Sequence, residues 1–384
     1  MLYKILMRDR TTERYLAPFI RQDLTRKMVF LGGPRQVGKT TLGLKILGGN
    51  EEHPAYFNFD KEQHRIRLLN ADWPHEKLIL LDEIHKYKRW KSWLKGIYDT
   101  SKSRRNFLVT GSARLDIYRR GGDSLFGRFH YFRLHPLTVA ELKQYNQSIH
   151  FDQLTECGGF PEPYFQGSEK EARRWRRERK ALVIRQDLRD LERVHDLTMI
   201  ELLCERLPEL VGNPLSIHAL AQDLQVAHAT VSNWIKMLER LYYCYRIYPF
   251  GSDRIRAVKK EAKLYLWDWA EIEEPGFRFE NLVAGHLLKY CHFLEDTEGH
   301  MMDLRYLRDT DGREVDFVVL KNRKPLFAVE CKLSDTKVTS AMFYFKARTN
   351  IPKFFLVHGK KDHFTKDDPT LESIGALEFL KEFV

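Results

Sequence analysis

Gly33, Gly38, Lys39 and Thr40 stand in the stretch GGPRQVGKTT at the spacing G-x-x-x-x-G-K-[ST]. Residue types at that spacing can cradle a chain of phosphates. The glycines let the backbone wrap an anion without Cβ clashes. A helix starting there offers free N–H groups and the positive end of its dipole. The lysine reaches the outer phosphates, and the hydroxyl binds Mg²⁺. Gly33, Pro34, Arg35, Gln36, Val37, Gly38, Lys39, Thr40 and Thr41 are therefore the candidate nucleotide-binding residues, with ATP and Mg²⁺ as the expected cofactors.

Phosphoryl transfer to water needs more than a cradle. In KLILLDEIHK (77–86), Asp82 is placed to bind the metal through water, and Glu83 to orient and polarise the attacking water. In RNFLVTGSAR (105–114), one of the hydroxyls of Thr110 and Ser112 is expected to contact the γ-phosphate or that water. Arg128, inside the glycine-flanked turn of GGDSLFGRFHYF, is the candidate arginine finger; such a group often comes from a neighbouring subunit.

These residues need rigid elements beneath them. KMVFLGG reads as a buried strand before the phosphate loop, and TTLGLKIL as the helix after it. The four apolar residues before Asp82 fit a strand buried on both faces of a parallel sheet.

Further along, EKEARRWRRERKALVIRQDL reads as a basic helix, a solvated face or a phosphate contact. Residues 214–250 carry a helix-turn-helix pattern. Ser216 caps a first helix, and a second buries Val231, Trp234, Ile235, Leu238 and Leu241 while Thr230, Asn233 and Lys236 fall on its other side. Two strands around a basic hairpin follow, which would complete a winged helix, with Arg254, Arg256, Lys259 and Lys260 on or near the wing. Thr230, Asn233, Lys236, Arg254 and Arg256 are the candidate DNA contacts, suited to backbone recognition more than base reading.

In the last third, REVDFVVL alternates Glu314, Asp316 and Val318 on one face against Val315, Phe317 and Val319 on the other. LFAVECKLS puts Glu330 and Lys332 together. With Glu280 on a preceding helix, the order Glu…Asp…Glu-x-Lys is similar to the PD-(D/E)xK nuclease signature. Carboxylates in that arrangement can hold Mg²⁺, and the lysine can position water.

Composition agrees with a globular chain of several domains: 384 residues, 43% hydrophobic, 12% aromatic. No apolar run reaches the roughly 18 residues that span a bilayer. Five scattered cysteines without a CxxC pair indicate neither zinc nor disulfides, and a cytoplasmic location is expected. The net charge of +11 favours a polyanionic partner, because Lys and Arg release counterions condensed on phosphates.

Together GPRQVGKTTL, LLDEIHKYKRW, GSARLDIYRRGGDSLFGRFHYFRLHPLT and GGFPEPY make the chain resemble a bacterial and archaeal family of AAA-type ATPases, whose C-terminal half is a domain of unknown function. The resemblance implies an ATPase core, a winged helix and a restriction-endonuclease-like domain. The expected fold is thus multidomain α/β: a P-loop parallel-sheet ATPase at 1–150, a linker and basic helical segment at 151–195, a winged helix at 196–270 and a nuclease-like domain at 271–384. The expected function is a DNA-dependent ATPase acting as a homo-oligomer, a hexamer being one form, that remodels or translocates DNA. The alternatives are an ATP-gated nuclease and a nucleotide switch that binds a protein partner.

Overall fold

The computed structural model describes residues 13–101, 105–111, 125–144, 150–188, 196–251, 261–360, 364–365 and 368–384. Two compact units divide the chain. One takes it through Pro136 together with Arg240–Tyr242; the other holds Leu137–Glu239 and Tyr243–Val384.

The first unit is built on a five-stranded, wholly parallel sheet. Its strands are β1 (Met28–Gly32), β2 (Tyr56–Asn58), β3 (Leu78–Asp82), β4 (Asn106–Thr110) and β5 (Phe129–Arg133), in the order β2-β3-β4-β1-β5. Helices α1 (Ala17–Leu24), α2 (Lys39–Leu47), α3 (Glu62–Leu69) and α4 (Trp90–Ser101) belong to the same unit. MVFLG and ILLD are buried along their length, as strands covered on both faces must be. Phe30, Phe57, Ile79, Leu81, Trp90 and Phe107 form one of its apolar clusters. β4 lies between β1 and β3, and its register sets Leu31 and Asp82 each beside Thr110. The phosphate loop, Asp82 and Thr110 therefore leave the sheet at the same carboxyl edge, where ligands of open α/β sheets bind.

The second unit begins with short helices, α5 (Val139–Gln144), α6 (Phe151–Cys157) and α7 (Pro161–Gln166). Helix α8 (Glu169–Leu182) follows, capped by the Ser168 hydroxyl accepting from the Glu171 N–H. Trp175 is buried against Phe160 with ring centroids 5.0 Å apart, and the buried Arg179 guanidinium lies 4.2 Å from the same ring. Of the basic helix, then, one face is core, and Arg173 and Arg174 on its exposed face pair with Glu169 and Glu171. Next come α9 (Leu197–Arg206), α10 (Ile217–Asp223) and α11 (His228–Arg240). Ser216 caps α10 as its sequence suggests, accepting from the Ala219 N–H at 3.2 Å.

An eight-stranded mixed sheet closes the unit. β6 (Cys244–Pro249), β7 (Lys263–Leu266), β8 (Met302–Arg308), β9 (Glu314–Lys321), β10 (Lys324–Lys332), β11 (Phe354–His358), β12 (Phe364–Thr365) and β13 (Leu371–Gly375) run in the order β12-β13-β11-β10-β9-β8-β6-β7. Helices α12 (Pro275–Glu298), α13 (Ser340–Lys346) and α14 (Ala376–Leu380) complete the described residues. β6 pairs antiparallel with β7 and parallel with β8, so a boundary at 270/271 would fall inside one sheet. Six of the eight residues of β9 are buried, Asp316 included, because that sheet is covered on both faces. All five cysteines are buried, and none forms a disulfide. No helix among the described residues is long and apolar enough to cross a membrane.

Candidate functional site

The phosphate loop has the backbone that its glycines allow. Gly33 has φ +138°, and a Cβ there would stand 2.4 Å from the Leu134 carbonyl oxygen. Gly38 caps α2 at φ +99°, and Gln36 also takes a positive φ, +63°. Lys39, buried at the start of α2, folds its ammonium back onto the carbonyl oxygens of Gly33 (3.0 Å) and Pro34 (2.7 Å). The cationic end of the side chain thus lies over the loop it would share with a phosphate. Arg14 donates to the Val37 carbonyl at 2.8 Å and to the His135 carbonyl, clamping the loop from its far side. Sequence spacing gave no sign of Arg14, since it lies 19 residues before the motif in a stretch without periodicity.

Asp82 is the hub of the carboxyl edge. The Thr40 hydroxyl donates to its Oδ2 at 2.9 Å, and the Tyr56 hydroxyl reaches the same oxygen at 3.0 Å. The Thr110 hydroxyl donates to the other oxygen, Oδ1. Thr110 is fully buried and its hydroxyl fixes Asp82. Tyr56 went unread in the sequence because it comes from β2, the far strand of the order, and only the register Asn58↔Asp82 brings that strand alongside. Burial raises the Tyr56 phenol well above its ordinary range, with the Asp82 charge adding to it, so the phenol stays a donor.

The two oxygens of Thr40 and Asp82 are a hard donor set of the kind Mg²⁺ prefers. Together with the glycine cradle and the lysine they fit a Mg²⁺–nucleotide. When bound, the ion would supply charge neutralisation at the phosphates.

Glu83 follows Asp82 in the left-handed region, at φ +57°, and its N–H is held by the Thr110 carbonyl at 3.0 Å. Its carboxyl is pushed up to about 7, first by burial, then by the Asp82 charge, against the pull of Lys39 and Lys86. His85 Nε2 and Lys86 Nζ lie 3.5 and 3.8 Å from Glu83 Oε2. A carboxyl held near neutrality can take a proton from water, which is the chemistry a general base requires. Arg128 lies at the start of β5 with its guanidinium bidentate on Asp99, at 2.8 and 3.0 Å. Ser112 lies outside the described residues.

On α11, Val231, Trp234, Ile235 and Leu238 are buried, while Asn233 and Lys236 are exposed and Thr230 is half-buried. The polar side of the helix is thus open to solvent. Arg254 and Arg256, with Lys259 and Lys260, lie outside the described residues.

The four carboxyl-terminal candidates lie near one another, since the Asp316 charge acts on both Glu280 and Glu330. Lys332 Nζ pairs with Glu330 Oε1 at 3.0 Å. Glu280 and Asp316 approach one another across the ammonium of Lys263, at 3.7 and 3.8 Å. Burial raises both acids, Glu280 to about 8, and the second cause for Glu280 is the charge of Asp316. Among the described residues no group of three or more His, Cys, Asp and Glu side chains is placed to hold a metal ion.

Three segments of the chain match known families. Residues 25–143 match the family model of an AAA domain. Residues 148–270 and 275–377 match two domains of unknown function, DUF8612 and DUF4143. An uncharacterised protein of Methanocaldococcus jannaschii is 25% identical over 330 residues, covering 69% of this chain and 68% of that protein. An uncharacterised protein of Mycobacterium tuberculosis is 27% identical over 245 residues, covering 63% of this chain and 54% of that one. Among solved structures, the Thermotoga maritima RuvB Holliday junction branch migration motor aligns with a TM-score of 0.31 at 18% identity, over 65% of this chain and 89% of that one. With the phosphate loop, the Thr40–Asp82 pair and Glu83 on one sheet edge, the AAA match makes residues 25–143 an AAA-type P-loop ATPase domain.

Proposed function

We propose that this chain is a DNA-dependent ATPase that works as a homo-oligomer and remodels or translocates DNA, branched or recombining DNA included. The carrying observation is the joining of Thr40, Asp82 and Glu83 at one carboxyl edge, with the Glu83 carboxyl held near neutrality. A site meant only to hold nucleotide needs the first two; a half-buried, proton-accepting third group suits hydrolysis. Support for DNA comes from a net charge of +11 and from the open polar side of α11 with Thr230, Asn233 and Lys236. Arg128 would leave Asp99 to act on a neighbouring subunit's nucleotide.

ATP turnover measured side by side with single-stranded, duplex and four-way-junction DNA tests the reading. Stimulation by DNA, lost in Lys39→Ala and weakened in Asn233→Ala/Lys236→Ala, is the expected result. Turnover indifferent to every DNA, with no DNA bound at modest salt, would refute it. A nuclease role draws on the gathering of Glu280, Asp316, Glu330 and Lys332, and the place of Lys263 among them argues against it.

A further inference from the structure

Lys263 is the first residue of β7, and only 1% of its side chain is exposed. Its ammonium donates to Glu314 Oε1 and stands 3.7 Å from Glu280 Oε1 and 3.8 Å from Asp316 Oδ1. Two elements therefore send three carboxylates to one lysine, one from α12 and two from β9. The Tyr306 ring closes another side, its centroid 5.5 Å from Nζ. Burial alone would lower the lysine's affinity for its proton, but the charges of Glu280, Asp316 and Glu314 more than reverse that, and the net direction is upward. The lysine stays a cation.

Glu330 makes the cluster larger than the lysine satisfies. The antiparallel register Val329↔Phe317 continues to set Glu330 opposite Asp316. Its Oε1 is taken by Lys332, while Oε2 is buried without a hydrogen-bond partner, in a side chain 7% exposed. The remaining contacts are to protein. Asp316 Oδ2 accepts from the Cys331 N–H at 2.8 Å, Glu280 Oε1 from the Tyr265 hydroxyl at 2.7 Å, and Glu314 Oε2 from Arg308 at 2.9 Å. Four carboxyls thus face three cations: Lys263, Lys332 and Arg308.

Buried carboxylates converging from a helix and two adjacent strands are an arrangement that a hard divalent cation would otherwise fill. We propose that the Lys263 ammonium occupies that cation position, so that the chain's own cation stands where a metal would and the carboxyl-terminal sheet does not cut phosphodiesters by a metal-dependent route. The lysine also ties β7 to α12 and β9. The cluster therefore serves to hold the sheet together, and a metal and a lysine exclude each other there. Charge enforces that exclusion: a divalent ion drawing these carboxylate oxygens in to about 2.0–2.6 Å would have to displace the ammonium that stands among them.

The test is a Mn²⁺ titration of the full-length chain without nucleotide, read by electron paramagnetic resonance, so that the phosphate-loop site is not assembled. Wild type is expected to take up no Mn²⁺ that Asp316→Asn removes. Lys263→Met, which keeps the aliphatic stem and deletes the charge, is expected to gain one site at least about tenfold tighter than any in wild type. That site should vanish in Lys263→Met/Asp316→Asn, and Mn²⁺ should raise the melting temperature of Lys263→Met alone. A wild-type Mn²⁺ site abolished by Asp316→Asn would overturn the proposal. So would a folded Lys263→Met with no new site, or Mg²⁺- or Mn²⁺-dependent plasmid nicking by wild type that Lys332→Ala abolishes. If Lys263→Met fails to fold, the wild-type and Asp316→Asn titrations and the nicking assay still decide. None of these readouts depends on DNA-stimulated ATP turnover, so this inference and the ATPase reading fail separately.

Discussion

Glu83→Gln should make the nucleotide-free protein more stable while removing its turnover. The carboxyl is raised from 4.5 to about 7, so the folded first unit holds a proton that the unfolded chain gives up more readily. At about 1.36 kcal/mol per pH unit, the rise corresponds to roughly 3 kcal/mol against ionised Glu83. The side chain keeps 24% of its surface exposed. Screening by that water lowers the figure to about 2 kcal/mol. The sign follows from linkage: the folded state binds more protons between the two values, so stability falls as pH rises from about 4.5 to about 7 and is level above. Glutamine keeps the shape and the left-handed backbone but cannot ionise. The variant should thus exceed wild type by about 2 kcal/mol at pH 8, and by less than about 1 kcal/mol at pH 5, where folded Glu83 is already protonated. Hydrogen exchange of peptides spanning β3, followed by mass spectrometry, reads the stability of the first unit directly. Equal gains at both pH values would refute the account, as would a glutamine variant less stable than wild type at pH 8. ATP binding should survive in the same variant, with hydrolysis lost; normal hydrolysis would remove Glu83 from the chemistry.

Four further outcomes are expected. In wild type, kcat/KM for ATP should rise with pH through about 7 as Glu83 loses its proton, an inflection that Glu83→Gln lacks. Thr110→Val removes the donor to Asp82 Oδ1 and should cost about 1–2 kcal/mol of stability by urea titration, with weaker Mg²⁺–ATP binding by calorimetry. Arg128→Ala should leave ATP binding intact and lower turnover, whereas Asp99→Ala, which removes only its resting partner, should leave turnover near wild type; equal losses would make the pair merely structural. Lys236→Ala should flatten the dependence of log affinity for duplex DNA on log salt by about one unit, across unrelated sequences.

Local signals were legible and long-range ones were not. The glycine spacing, the apolar run before Asp82 and the Ser216 cap each sit within a single element and its turn, so residue order alone reveals them. The partners of Asp82 are different. Tyr56 and Thr110 reach it only because β3 lies between β2 and β4, and a strand order is a property of crossovers that no single stretch encodes. Lys263 was hidden for a similar reason. In KLYLWD it looks like the flank of a basic wing, and 53 residues separate it from Asp316. What buries it is the adjacency of β7, β6, β8 and β9 in one sheet. The alternation of β9 places Asp316 on one face of its strand, but does not reveal that the residue is buried there and that burial raises its carboxyl.

The shared strand β6 bears on how this protein could be taken apart. Its first four residues are laddered to β7, and its last two, Tyr248 and Pro249, run beside β8. A chain cut after residue 270 would keep the helix-turn-helix yet bare an unpaired flank of β6 to water, an invitation to self-association. Through β6, which follows α11 directly, the helices α9–α11 are continuous with a sheet that runs on to residue 375.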